Sequence, residues 1–80
     1  MKARVLVRLK PSILDAQGAS VKRALGGLGF PEVRDVRVGK VLDLELAGLS
    51  AEQARARIEE MCARLLANPV IEDFSVEVVG

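Results

Sequence analysis

The chain has 80 residues, of which 50% are hydrophobic, 29% charged and 2% aromatic, and its formal net charge is +1 at pH 7. Domains commonly run to about 100–150 residues, so we expect residues 1–80 to form a single domain. The apolar content excludes intrinsic disorder, and the near-neutral charge argues against a protein that binds polyanions electrostatically.

Missing residue types exclude several kinds of catalytic site. The sequence contains no His, no Trp, no Tyr and a single Cys. Without an imidazole, no Ser-His-Asp or Cys-His site can be assembled within the chain. A zinc site is disfavoured because the usual soft ligands are nearly lacking. One Cys cannot form an intrachain disulfide, which fits a reducing compartment.

The sequence also lacks recognisable targeting and membrane-spanning signals. No apolar run approaches the ~18 residues of a membrane-spanning helix. The first residues alternate basic and apolar side chains and lack a signal-peptide core. We therefore expect a cytoplasmic protein that does not enter a membrane.

The first half of the chain predicts a strand followed by a helix. Apolar and basic residues alternate over residues 3–9, which is typical of a half-buried strand. Apolar residues at spacings of three, four and seven then predict a helix over Asp15–Leu28, with Asp15 favourable at its N-terminus. The glycines at 26, 27 and 29 end that helix.

Two short alternating segments in the middle of the chain predict strands. They are Val36–Val38 and Leu42–Leu46, and Gly39-Lys40 lies between them. The Gly-Lys pair forms either a tight turn or a kink in one long bent strand, since Gly relaxes the backbone there.

The second half predicts a helix and a last strand. Ser50 and Gln53 have the spacing of a capping box, which opens the helix. Asn68-Pro69 ends it, because the residue before a proline avoids helical geometry. Alternation over Phe74–Val79 predicts the last strand.

This order of elements indicates the fold class. The pattern βαββαβ predicts an α+β, two-layer sandwich with both helices on one face of an antiparallel sheet. The other sheet face is mixed, and half the residues of this small chain are apolar. We therefore expect oligomerisation through the sheet.

Features that resemble catalytic motifs have simpler interpretations. The glycines at 26–29 follow a helix, whereas a phosphate loop precedes one, so we interpret them as a helix stop. Cys62 lies on the apolar stripe of the second helix and is expected to be a core residue. Glu72-Asp73 falls in a loop, where an isolated Mg²⁺ site is improbable without substrate phosphates. We expect no catalytic, cofactor-binding or metal-binding residue on this chain.

Basic side chains on the first strand raise the possibility of RNA binding. An RNA-recognition fold has the same order of elements and would use this sheet face, which carries Lys2, Arg4, Arg8 and Lys10. It would also need aromatic residues to stack bases, and the chain has only two Phe. We expect no nucleic-acid binding and predict that these cations pair with carboxylates across a subunit contact or are solvated.

Four segments together resemble one known family. They are Leu9-Lys10-Pro11, Ile13–Gly18, Val36–Lys40 and Leu65–Phe74. In these segments the sequence resembles the PurS family, the small subunit of phosphoribosylformylglycinamidine synthase, over essentially its whole length. Ser12, Ala16 and Phe74 depart from the residues expected there, and Phe74 lacks the hydroxyl of the more common Tyr.

The resemblance implies an accessory role in purine synthesis. The family's complex is an ATP-dependent carbon–nitrogen ligase that converts formylglycinamide ribonucleotide, glutamine and ATP to formylglycinamidine ribonucleotide, glutamate, ADP and phosphate. A PurL-type subunit carries the ATP- and Mg²⁺-dependent chemistry, and a PurQ-type glutaminase releases ammonia. The small subunit bridges them as a homodimer or tetramer and helps ammonia transfer. It holds no cofactor itself.

A bridging subunit needs contact surfaces, and function concentrates on loops. The segment from Asn68 to Phe74 places two aliphatic residues beside two acids and suggests a docking loop. The predicted partner contacts are Asp15, Gln17, Gly18, Arg37, Gly39, Lys40, Asn68, Pro69, Glu72, Asp73 and Phe74.

An ACT-like regulatory module is the alternative interpretation, because such modules share the order of elements and bind small ligands at dimer interfaces. They often carry a Gly-rich loop after the first strand. The corresponding loop here, Pro11-Ser12-Ile13, has no Gly, which disfavours this alternative.

Overall fold

A computed structural model describes residues 1–79. Three strands, β1 (Lys2–Leu9), β2 (Gly39–Glu45) and β3 (Glu72–Val79), form an antiparallel sheet in the order β2-β1-β3. Two helices, α1 (Ala16–Gly27) and α2 (Ala51–Met61), connect them, and a π-helical turn, Cys62–Leu66, continues α2. The α+β class and the antiparallel sheet are confirmed.

Strand β1 forms the centre of the molecule because its alternating side chains point into the core. Ala3, Val5 and Val7 are each 3% exposed or less. Ile58 of α2 and Cys62 of the π-helical turn are completely buried against them. Apolar residues of β2 and β3 are only partly buried around this cluster. Helix α2 packs on the β3 side of the sheet.

Both helices begin where the sequence predicts. Asp15 caps α1 by accepting the Gly18 N–H at 2.8 Å. Ser50 and Gln53 form the complete capping box, with each side chain accepting the other's backbone N–H at 3.2 and 3.0 Å. These local signals act within one turn, so they do not depend on the rest of the fold.

The segment Val36–Val38 forms no strand, in contrast to the prediction. The Val36 N–H donates to the side chain of its own neighbour, Asp35, and the Val38 N–H donates to Asp15. With those donors engaged, no ladder can form, and the strand begins at Gly39. Gly39-Lys40 is therefore neither a turn nor a kink but the start of β2.

Helix α1 stands apart from the sheet. Gly18 is its one buried residue, while the predicted apolar stripe is exposed, with Val21 at 39% and Leu28, just beyond the helix, at 73%. The chain measures 49 × 26 × 14 Å with a Cα radius of gyration of 16.0 Å. A compact chain of this length would have a radius near ~12 Å. Residues 16–38, hereafter the arm, thus leave the sheet and return to it.

Candidate functional site

Asp15 ties the two ends of the arm together. Its Oδ1 accepts the Gly18 N–H at 2.8 Å, and its Oδ2 accepts the Val38 N–H at 2.7 Å. The residue is 5% exposed. The hydrogen bonds from Gly18 and Val38, followed by the nearby Arg37 charge, hold the pKa of Asp15 below its ordinary value. The carboxylate therefore stays ionised and acts as a structural clamp.

Gly18 allows the two ends of the arm to approach closely. A Cβ at this position would lie 2.1 Å from the carbonyl oxygen of Val36 and 3.0 Å from the Asp15 carboxylate. Every other residue type would push the returning chain away from the helix. The glycine is thus required by packing, since it lies in regular helix and needs no special backbone conformation.

Arg37 and Lys10 extend this contact into the neighbouring loops. One guanidinium nitrogen of Arg37 donates to the carbonyl oxygens of Lys10 and Ile13, both at 2.9 Å. The Lys10 N–H donates to the Ile71 carbonyl at 2.8 Å, and its ammonium lies 2.9 Å from Asp73. Lys10 therefore links the three segments that meet at this end of the sheet. We call them the junction: the loops 10–15 and 35–38, and residues 68–73, the last two of which begin β3.

The segment 68–73 is held by its own polar side chains; its loop ends at Ile71, and Glu72 and Asp73, predicted to lie in the loop, begin β3 because they pair with Leu9 and Arg8 of β1. Glu72 Oε1 accepts the Asn68 N–H at 2.7 Å, and Asn68 Oδ1 accepts the Val70 N–H at 3.1 Å. The Asn68 carbonyl accepts the N–H groups of Ile71 and Glu72. Four hydrogen bonds within five residues fix this loop, so it is a defined structure rather than a loose connection.

The predicted contact residues from three distant parts of the sequence lie at the junction or beside it. The strand register places Gly39 and Asp73 on either side of Arg8, and Lys40 and Phe74 on either side of Val7. A cavity of about 260 Å³ is lined in part by Asp15, Gln17, Gly39, Lys40 and Glu72. A second cavity, of about 310 Å³, is lined in part by Arg37 and Asp73.

Several of these predicted residues have roles within the chain. Asp15, Gly18 and Arg37 hold the arm, while Asn68, Glu72 and Asp73 hold the last loop. Lys10 was missed as a central residue because its partners lie up to 63 positions away. The one sequence signal for Lys10 was its place in Leu9-Lys10-Pro11, a segment that carries the family resemblance.

The open face of the sheet is balanced in charge. Arg4 forms an ion pair with Asp43 at 2.8 Å and lies in register with Glu77 on its other side. Lys2 lies opposite Glu45, and Arg8 opposite Asp73. The basic row of β1 is thus flanked by carboxylates of the same chain. The pairing of these cations predicted across a subunit contact is thus made by Arg4 within the chain.

Cys62, the one thiol of the chain, is buried. Burial, and then the charge of Glu59, raises the pKa of the Cys62 thiol, which disfavours the reactive thiolate. Within residues 1–79, no three His, Cys, Asp or Glu side chains are placed to hold a metal ion.

Among the described residues, no helix has the length and the apolar character needed to span a bilayer.

Comparisons with known proteins agree on one family. Residues 2–80 match the family model PurS, described as phosphoribosylformylglycinamidine (FGAM) synthase. The PurS subunit of that enzyme from Bacillus subtilis is 46% identical over 77 residues, covering 96% of this chain and 90% of the relative.

Solved structures give the same result. A crystal form of B. subtilis PurS superposes with a TM-score of 0.89 at 44% identity, covering 99% of this chain and 98% of that one. A chain in the structure of PurLQS from Thermotoga maritima superposes with a TM-score of 0.86 at 29% identity, covering 95% and 93%. The fold described above is therefore the one that these relatives adopt.

Proposed function

Because the chain belongs to the PurS family of phosphoribosylformylglycinamidine synthase, we propose that it is the assembly subunit that bridges that enzyme's glutaminase and synthetase subunits. The observation that carries the proposal is the match over residues 2–80, which leaves no part of the described fold unaccounted for. The relative in the PurLQS structure supports association with PurL-type and PurQ-type subunits.

The role is non-catalytic in this proposal. Five charged side chains at the junction, those of Lys10, Asp15, Arg37, Glu72 and Asp73, bind backbone groups or a counter-ion of the same chain. None is arranged as an activated nucleophile beside a base. ATP, Mg²⁺ and glutamine would act on the partner subunits, in the cytoplasm, to convert formylglycinamide ribonucleotide to formylglycinamidine ribonucleotide.

Physical coupling explains why such an enzyme needs a bridge. Ammonia released into water would be protonated or lost before it reached a distant synthetase site. Holding the two sites in one particle raises the effective concentration of one at the other without new chemistry. A small subunit with two contact surfaces is sufficient for this coupling.

A homo-oligomer is part of the proposal. The arm exposes its apolar stripe, and Leu42 and Leu44 of β2 are only half-buried because α2 covers the β3 side. Helix α1 and this half of the sheet both present apolar side chains, but within one chain they do not pack against each other. A second copy whose arm covers the β2 side, and receives the same cover in return, satisfies both surfaces by two-fold symmetry.

Light scattering coupled to size exclusion tests the bridging role. The chain alone is expected to elute as a dimer or tetramer, and to form larger particles with the partner subunits, the largest when both are added. A stable monomer would contradict the oligomer. Failure to form a particle with either subunit would contradict the bridging function.

A further inference from the structure

The arm buries no side chain of its own. Among residues 16–38 only Gly18 is buried, and glycine has no side chain to contribute. The hydrophobic core is built from β1, α2 and the residues that follow α2, and the arm adds nothing to it. Chain units well below about 40 residues need outside support to stay folded. The arm therefore lacks the internal packing that would keep it folded by itself.

The sequence of α1 gives the helix little stability in isolation. Three of its 12 residues are glycines, the least favourable helix residue after proline. Its first turn has no acidic side chain and its last turn no basic one, so within the helix no charge complements the dipole. Isolated helices shorter than about 12–15 residues are marginal in water. The Asp15 cap and the Gly18 contact fix the start of α1 but leave the rest of the helix without support.

The exposed face of α1 is the part that a partner can stabilise. Val21 is 39% exposed, and Leu28, seven positions later at the end of the helix, is 73% exposed. The spacing of seven places both side chains on one side of the helix. Apolar surface of this kind on a marginal helix indicates that the helix is completed by covering that side.

The β2 side of the sheet offers a surface that fits this helix. Leu42 and Leu44 lie in register with the buried Val5 and Ala3, so they point to the helix-bearing face, where both remain half-buried. Helix α2 packs on β3 rather than here. Seven residues of strand extend over about 23 Å and a helix of 12 residues over about 18 Å. The helix is therefore the right length to lie along β2.

The arm does not reach the β2 side of its own chain. The Asp15–Val38 hydrogen bond and the Gly18–Val36 contact hold its two ends together at the junction. From there α1 extends without packing along any strand or helix of the same chain. A second copy supplies both missing contacts, because each chain offers one arm and one uncovered β2 surface. Two-fold symmetry then makes the same contact twice.

We infer that α1 becomes a stable helix only when it docks on the β2 side of a second copy, so that folding of the arm and self-association are one coupled step. This inference rests on the homo-oligomer of the proposed function and deepens it, because it states what association does to the chain. The sheet and α2 form the part that is folded beforehand, since they contain the whole core.

Hydrogen exchange of the full chain, followed by mass spectrometry at concentrations above and below its dissociation constant, tests the coupling. The amides of α1 are expected to exchange about tenfold or more faster in the dilute, dissociated chain, because an unsupported helix of this length opens readily. The amides of β1 and α2 should keep their rates. Trypsin gives an independent measurement, since cleavage after Lys22 or Arg23 should accelerate to a similar degree on dilution.

Two variants separate the arm from other exposed apolar residues. V21S/L28S removes the docking side of the helix, and its α1 amides should exchange rapidly at concentrations where the wild type is associated. L65S/V70S removes two exposed apolar side chains outside the arm and is the matched control. It should behave like the wild type in both measurements.

The outcomes separate the inference from the oligomer on which it rests. If the chain self-associates but α1 is equally protected in the dilute chain, the arm folds beforehand and the inference is wrong while the oligomer stands. If V21S/L28S stays associated with α1 protected, the arm is not the self-contact and the inference is overturned. If the chain is a monomer at every concentration and α1 gains protection only when a purified partner subunit is added, the oligomer and the inference both fail.

Discussion

The Oδ2 atom of Asp15 lies 2.7 Å from the amide nitrogen of Val38, which is 23 positions later in the chain. This bond joins the N-cap of α1 to the residue before β2. Together with the close approach of Gly18 to Val36, it fixes where the arm leaves the sheet. The position of the arm, which we assign to self-association, therefore depends on this contact.

Substitution of Gly18 tests this close approach. Gly18→Ala is expected to destabilise the fold by about 1–3 kcal/mol, because its Cβ must displace the Val36 carbonyl. Gly26→Ala is the matched control in the same helix, since its Cβ meets no atom within 4 Å. That change should be neutral or stabilise by up to about 1 kcal/mol. Equal effects of the two changes in urea denaturation would contradict the packing role.

The stability that the Asp15 carboxylate contributes should decrease as the pH is lowered. The folded pKa of Asp15 is lowered, so its stabilisation is complete above the unfolded carboxyl value of about 3.9 and is lost as the pH falls through the lower folded pKa. Asp15→Asn should therefore melt below the wild type at pH 7, and the gap should narrow toward pH 3. A gap that stays constant across this range would show that the carboxylate charge is not involved.

Ile58 lies in the hydrophobic core, completely buried against β1. Ile58→Ala is expected to cost about 2–5 kcal/mol of unfolding free energy, because it removes buried apolar contacts and leaves a cavity. Leu65→Ala, at an 83% exposed position, should change that free energy by about 0.5 kcal/mol or less. Chemical denaturation measures both, and comparable losses would place Leu65 in the core instead.

Self-association should depend on the exposed stripe of the arm. Val21→Ser with Leu28→Ser removes apolar surface from that stripe without touching the core. The expected result is a shift toward monomer in sedimentation equilibrium, by about tenfold or more in the dissociation constant. L65S/V70S is the matched control and should leave the equilibrium unchanged. An unaltered equilibrium in the arm variant would locate the self-contact elsewhere, such as the open sheet face.

Local signals in the sequence were sufficient for the starts of both helices and for the central strand. Asp15 and the Ser50–Gln53 pair cap their helices as predicted, because capping acts within one turn. Alternation likewise identified β1, whose inward side chains form the core. Such features need no knowledge of distant residues.

Contacts between distant residues were beyond what the pattern could predict. Val36–Val38 has the alternation of a strand, but its amides are taken by Asp35 and Asp15. Arg37, which remains a predicted partner contact, bonds carbonyls 24 and 27 positions earlier within the chain. Such pairings depend on which loops meet at one end of the sheet. The family resemblance, rather than periodicity, indicated that these segments belong together.

The central claim is that this chain couples two other subunits rather than performing chemistry. The most direct measurement compares glutamine-dependent and ammonia-dependent synthase activity of the purified partner subunits with and without the chain. Coupling predicts that adding the chain raises the glutamine-dependent rate while the ammonia-dependent rate barely changes. An equal rise in both rates would contradict coupling and indicate direct activation of the synthetase.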